Sequence, residues 1–181
     1  RELSRLRKQR FACLVAMGRR LDVESEDLRR MTDAWILDWG DIQPLEPVAR
    51  GTSGEVWRGL YRNKWEVAVK MMYDTTNVSL EAQSETRFLQ RVRHPRLVMF
   101  VGCGRRPDDG NIFLVLEYCE YGSMTRLLLK HPSSDLPWSL RLSLLRDVCD
   151  AMVHLHSVSM IHRDLKCENV MICADESHTL R

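Results

Sequence analysis

The sequence predicts an α+β fold in which a strand-rich part comes first and a helical part follows. Three observations carry that expectation. Between Trp35 and Tyr118, short apolar runs are separated by turns containing Gly, Pro and Asp, as in strands joined by hairpins. From Pro137 to Val158, apolar residues recur instead at three- and four-residue steps, as along a helix. Then comes Ile161–Cys173, IHRDLKCENVMIC, in which Asp164, Lys166 and Asn169 lie between short apolar flanks. An acid, a cation and an amide at that spacing suit a rigid loop offering a proton acceptor, a phosphate-binding group and a metal ligand on one surface.

Composition admits such a fold. The chain has 181 residues, 44% hydrophobic and 29% charged, with a formal net charge of +2. That is the balance of a globular chain with apolar material for one or two cores. Charge so near neutrality gives no reason to expect nucleic acid as a partner. Cys13, Cys103, Cys119, Cys149, Cys167 and Cys173 form no CxxC pair and no metal-ligand spacing. Scattered thiols favour a reducing, intracellular setting, cytoplasmic or on the cytoplasmic side of a membrane. No apolar run reaches the ~20 residues a membrane span needs, and no signal-peptide pattern is present. Residue 1 is Arg rather than Met and the chain stops just after a strand-like run, so both ends are expected to be cut ends.

Residues 1–34 begin with Arg1, Arg5, Arg7, Lys8 and Arg10, and their apolar residues fall on a broadly helical period. This is expected to be a basic helical or linker segment. A solvated linker helix is the commoner meaning of such a charge run, and contact with a membrane surface is the sharper one. Composition changes at Trp35, where the domain boundary is placed. Gly51 and Gly54, in ARGTSGEV, suit a hairpin whose backbone N–H groups approach phosphate oxygens with no side chain intervening. A lone Gly-x-x-Gly is more often only a turn. Trp65–Met72 reads as a buried strand ending near Lys70, and a helix is expected over Ser79–Val92, carrying Glu81 and Glu85. Strands follow over Leu97–Cys103 and Ile112–Tyr118, around a turn at Arg105–Asn111. A short helix then runs from Gly122 to about His131, and a long one over Pro137–Val158 with Trp138, Leu142, Leu145, Val148, Cys149, Met152 and Leu155 on its apolar stripe. His154 and His156, two apart on that helix, point away from each other and make no metal site. Asn169–Cys173 and 174–181 read as two short strands.

His162, Arg163, Asp164, Leu165 and Asn169 meet the pattern H-R-D-L-x-x-x-N in full, so the chain resembles the protein kinases. The resemblance covers roughly residues 43–181 and stops before the Asp-Phe-Gly of those enzymes. It implies an antiparallel five-stranded N-lobe with one helix over 35–122, hinge included, and the beginning of a helical C-lobe over 123–181. The tryptophan–acid–isoleucine lead-in after Trp35 is similar to the tyrosine-kinase-like group, which includes the Raf and mixed-lineage kinases. Gly51 and Gly54 match the second and third glycines of the kinase loop, with Ala49 where the first would be, and Val56 follows. Val67-Ala68-Val69-Lys70 resembles the third-strand lysine motif. Lys70 would then hold the α- and β-phosphates of ATP and pair with Glu85, which the count back from His94-Pro95 favours over Glu81.

Leu114–Glu120 resembles the hinge between kinase lobes. Leu116 would guard the pocket behind adenine, Glu117 and Cys119 would offer backbone hydrogen bonds, and Val56, Ala68 and Met171 would lie on the adenine faces. Each of these apolar residues taken singly is more often plain core. Asp164 would accept the substrate hydroxyl proton, Lys166 would steady the transferring phosphate, and Asn169 would hold Mg2+. His162 would be structural. Lysine in HRDLKCEN is similar to serine/threonine kinases, so protein Ser/Thr hydroxyls and ATP are the implied partners, with dual specificity left open because members of the tyrosine-kinase-like group vary. Without Asp-Phe-Gly, the 181 residues alone are expected to be inactive. The competing class is a pseudokinase, a nucleotide-binding scaffold of the same fold. An unrelated helical interaction protein would not explain the order of the motifs.

Overall fold

The structure, a computed structural model, describes residues 12–14, 35–51, 54–73, 92–131 and 135–173. In chain order its elements are β1 (Ala12–Leu14), β2 (Ile42–Gly51), β3 (Gly54–Tyr61), β4 (Trp65–Met72), β5 (Phe100–Arg105), β6 (Ile112–Glu117), α1 (Met124–Lys130), α2 (Trp138–Ser157) and β7 (Val170–Ile172), with 3-10 turns at Trp39–Asp41 and Cys167–Asn169. The chain divides into two compact units, one of residues 18–91 and 99–118, the other of 1–17, 92–98 and 119–181.

The first unit contains the expected five-stranded antiparallel sheet, in the order β2-β3-β4-β6-β5. Strand alternation sorts its side chains cleanly. Val67, Val69, Phe113 and Val115 project from one face and form a core with Ile42, against which Leu37, Trp39 and Trp57 pack. The Trp39 ring meets Phe113 edge-on at 5.0 Å between centroids. Trp35–Leu37 lies along β5: Cys103 N–H donates to Trp35 O at 2.9 Å and Leu37 N–H to Cys103 O at 2.8 Å. A β-carbon at Gly104 would fall 2.4 Å from Leu37 O, so this close approach requires glycine. The turn between β5 and β6 closes with Arg106 N–H on Asn111 O at 2.9 Å.

In the second unit α1 follows Ser123, whose hydroxyl accepts Arg126 N–H as an N-cap. Helix α2 begins after Pro137 and ends in a left-handed turn at Ser159 (φ 58°), where Met160 N–H reaches back to Leu155 O at 2.8 Å. The expected stripe on this helix holds at Val148 and Leu155 and is corrected at Trp138, Leu142, Leu145 and Cys149. Leu140, Leu144, Asp147, Val148, Ala151 and Leu155 are buried, whereas Trp138, Leu142 and Leu145 are exposed. Both sets satisfy three- and four-residue steps, so periodicity alone does not choose between them.

An ion pair of Arg96 Nε with Asp147 Oδ1 at 3.1 Å ties residues 92–98 to the buried face of α2. Beside it the His94 and His154 rings stack at 4.7 Å, which turns His154 to the packed side while His156 stays exposed. Three residues of the segment expected to be helix or linker form β1, which pairs antiparallel with β7. The helix expected over Ser79–Val92 lies, except for Val92, outside the described residues, as does the strand expected over 174–181. No helix among the described residues is long and apolar enough to cross a membrane.

Candidate active site

In the first unit, register gathers most of the predicted nucleotide residues onto one side of the sheet. Residues opposite each other on adjacent strands point the same way, as do residues two apart on one strand. Ala49 is opposite Val56, and Gly51 opposite Gly54. Val56 is opposite Lys70 and Arg58 opposite Ala68. Ala68 is opposite Leu116 in turn. Ala49, Gly51, Gly54, Val56, Ala68, Lys70 and Leu116 therefore share the face opposite to the Val67/Val69 core. Glu117 falls on the other face, where its carboxylate accepts Met99 N–H at 3.1 Å.

The two glycines of the hairpin differ in what holds them. Gly54 has φ +155°, and a β-carbon there would lie 2.1 Å from Met71 O on the neighbouring strand. At Gly51 the nearest atom to such a carbon is Gly54 O at 3.8 Å, an ordinary contact. The fold thus demands glycine at Gly54, whereas nothing among the described residues demands it at Gly51. Glu81 and Glu85 lie outside the described residues.

In the second unit, the backbone around Cys119 is a tight turn. Gly122 N–H donates to Cys119 O at 3.0 Å, and the N–H of Cys119 takes no backbone partner among the described residues. Tyr121 N–H donates to Ile172 O and Ile172 N–H to Gly122 O, which lays this turn against the strand carrying Met171.

The loop before that strand is organised by Asp164. His162 is fully buried and its Nδ1 accepts Asp164 N–H at 3.2 Å, consistent with a structural histidine. Arg163 adopts φ 67°, a left-handed conformation uncommon for a side-chain-bearing residue. Asn169 Nδ2 donates both to Asp164 O and to Asp164 Oδ2, each at 2.8 Å. Lys166 Nζ lies 3.0 Å from the same Oδ2. The hydrogen bond from Lys166, then that from Asn169, holds the Asp164 carboxyl below the usual carboxylate range, against a smaller opposing effect of burial. The result is a half-exposed, ionised carboxylate with one oxygen fixed and Oδ1 outside these two contacts. Asn169, having committed its amide nitrogen, retains an amide oxygen, the hard donor type that Mg2+ takes. Among the described residues, no group of three or more His, Cys, Asp or Glu side chains could hold a metal ion.

Asp164, Lys166 and Asn169 are thus brought together as predicted, and Met171 follows on β7. Sequence reasoning did not single out Asp147, and it used His94 only as half of the His94-Pro95 turn, not as a partner of His154. A buried acid on a helix and a histidine in a turn carry no distinctive spacing, although Asp147 does occur within an otherwise apolar face.

The family described as protein tyrosine and serine/threonine kinase matches residues 42–180. A probable serine/threonine-protein kinase of Dictyostelium discoideum, kinX, is 34% identical over 77% of this chain and 13% of its own length. Serine/threonine-protein kinase SIS8 of Arabidopsis thaliana is 36% identical over 81% of this chain and 14% of its own. The human tyrosine-protein kinase FRK is 29% identical over 79% of this chain and 28% of its own length. The chain accordingly spans less than a third of the length of each of these relatives.

Proposed function

The chain belongs to the protein tyrosine and serine/threonine kinase family, and on that premise we propose that the protein it is part of transfers the γ-phosphoryl group of ATP to Ser and Thr hydroxyls of proteins. The observation that carries the proposal is the hydrogen-bonded set of Asp164, Lys166 and Asn169. A loose phosphoryl-transfer transition state asks a protein for positioning and charge rather than for a covalent partner. Asp164 offers an ionised carboxylate whose Oδ2 is fixed by two donors, so that Oδ1 receives the substrate hydroxyl and orients its oxygen. Its depressed pKa makes it a weak base, which favours orientation first and proton acceptance late in the transfer. Lys166 supplies a cation beside that oxygen, to accompany charge as it moves.

Kinases of this family generally use ATP with Mg2+, and the retained oxygen of Asn169 fits a share in such an ion, which supplies charge neutralisation on the phosphates when bound. In the first unit Gly51 and Gly54 present backbone N–H groups without side chains, and Ala49 and Val56 continue the same face. Lys70 contributes a phosphate-binding cation on that face, with Glu85 as its proposed partner. Val56, Ala68 and Met171 are the proposed apolar contacts of the base, and Leu116 is proposed to guard the pocket behind it. Glu117 and Cys119 are its proposed backbone contacts, the N–H of Cys119 serving as donor. The lead-in after Trp35 favours the tyrosine-kinase-like group, and Lys166 within HRDLKCEN favours Ser and Thr over Tyr. We also place the domain boundary near Trp35.

The test uses the whole protein with Mg2+, labelled ATP and a mixture of Ser, Thr and Tyr peptides, followed by phosphoamino-acid analysis. Label on Ser and Thr is the expected outcome. Label confined to Tyr would overturn the specificity, and nucleotide binding with no label would make the protein a scaffold.

A further inference from the structure

Cys103, Cys119, Cys149, Cys167 and Cys173 differ in their surroundings. Cys149 and Cys167 are exposed and Cys103 is half-buried, but Cys119 and Cys173 are only 5% and 6% exposed. These last two, 54 positions apart in the chain, meet: the Cys173 thiol donates to Cys119 Sγ with the sulfurs 2.7 Å apart. They are thiols, not a disulfide. We propose that Cys119 and Cys173 are a redox pair that closes into an intramolecular disulfide under hydrogen peroxide, stapling the turn at Cys119 to the strand that follows the Asp164 loop.

Geometry favours closure. A disulfide needs its sulfurs about 2.05 Å apart, with suitable backbone separation. The remaining gap is about 0.7 Å, within reach of small side-chain rotations. The backbone around the pair is already fixed by Tyr121 N–H on Ile172 O at 3.2 Å and Ile172 N–H on Gly122 O at 2.8 Å. Ser123 and Met171 add an antiparallel bridge one step further along. Burial matters too, because it excludes bulky thiols more than it excludes peroxide.

The chemistry balances in two steps. One cysteine sulfur attacks a peroxide oxygen; the S–O bond forms, the O–O bond breaks, and the departing hydroxide takes the thiol proton as water, leaving a sulfenic acid. The second sulfur attacks that sulfenic sulfur; the S–S bond forms, the S–O bond breaks, and hydroxide leaves with the second thiol proton as water. Each sulfur loses one electron overall and the two peroxide oxygens gain them. With its partner in contact, a sulfenic acid at either position is captured before an outside thiol or a second peroxide reaches it.

The whole 181-residue chain, with Cys13, Cys103, Cys149 and Cys167 changed to Ser, is exposed to excess hydrogen peroxide and digested without reductant. The expected product is a linked peptide pair containing Cys119 and Cys173, about two mass units lighter than the two reduced peptides together for the two hydrogens removed. Both thiols vanish from titration and return with dithiothreitol, and the oxidised chain melts at a higher temperature than the reduced one, because a cross-link restricts the unfolded chain. In the Cys173→Ser variant the Cys119 product is instead a sulfenic acid or its adduct with an added thiol. The unsubstituted chain, digested in the same way, reads the linkage without depending on the serine background. Recovery of sulfinic or sulfonic acid at either cysteine with no linked pair, or linkage of either to a different cysteine, would overturn the proposal.

Discussion

Asp164 shows how a single side chain acquires its character from two neighbours. Lys166 and Asn169 both donate to its Oδ2, and its pKa falls below the ordinary carboxylate range. The sign of the linkage follows: the stabilisation is present above the unfolded value near pH 3.9 and is lost as pH falls through the lower folded value. These residues were legible because their spacing has one chemical purpose. The contrast between Gly51 and Gly54 was not legible, because both letters are the same. It yields a prediction at this scale. Gly54→Ala should cost about 2 kcal/mol of stability or more, from left-handed strain and the clash with Met71 O. Gly51→Ala should stay within about 0.5 kcal/mol yet weaken binding of Mg-ATP. Paired chemical-denaturation and nucleotide titrations check this. A Gly51→Ala chain with unchanged nucleotide affinity would remove that glycine from phosphate binding.

Among the elements, strands were easier to read than helix faces. The alternation along β4 places Val67 and Val69 on one side and Ala68 and Lys70 on the other, and register then carries the assignment across three strands. Helix α2 was harder, since it has leucines on two faces and only packing separates them. Leu144→Ala should therefore cost about 2–5 kcal/mol, as for a buried leucine, while Leu145→Ala, at a position 53% exposed, should cost well under half of that. Equal costs in denaturant melts would reinstate the stripe expected from periodicity.

The same helix carries His154, stacked on His94. Burial, then the neighbouring charges of His154 and Arg96, lowers the His94 pKa, opposed by Asp150. The folded state thus favours the neutral form. Its contribution to stability is fully present above the unfolded value of about 6.5 and is lost as pH falls through that value toward the lower folded one. Stability measured from pH 7.5 down to 5.5 should fall, and should fall less in His94→Gln. An unchanged pH slope in that variant would assign the loss to another group. Neither the stack nor the Arg96–Asp147 pair could be read from the sequence, because both depend on a turn and a helix far apart in the chain.

For the molecule as a whole, it was the order of weak signals that was legible. A Gly-x-x-Gly, a lysine after an apolar strand and an H-R-D-L-x-x-x-N loop are each ambiguous, and their succession along one chain is not. The five-stranded sheet and the family membership agree with that succession. What a single sequence does not encode openly is long-range pairing, such as β1 with β7 or Cys119 with Cys173. At this scale the proposed role of Asp164 is in phosphoryl transfer and not in nucleotide binding. The most direct measurement compares Asp164→Asn with the unsubstituted whole protein, reading steady-state turnover on a Ser/Thr peptide and Mg-ATP affinity together. The expected result is a loss of ~10²–10⁴-fold in kcat, or about 3–5 kcal/mol of barrier, with nucleotide affinity nearly unchanged. Undiminished turnover in the Asp164→Asn protein would contradict it.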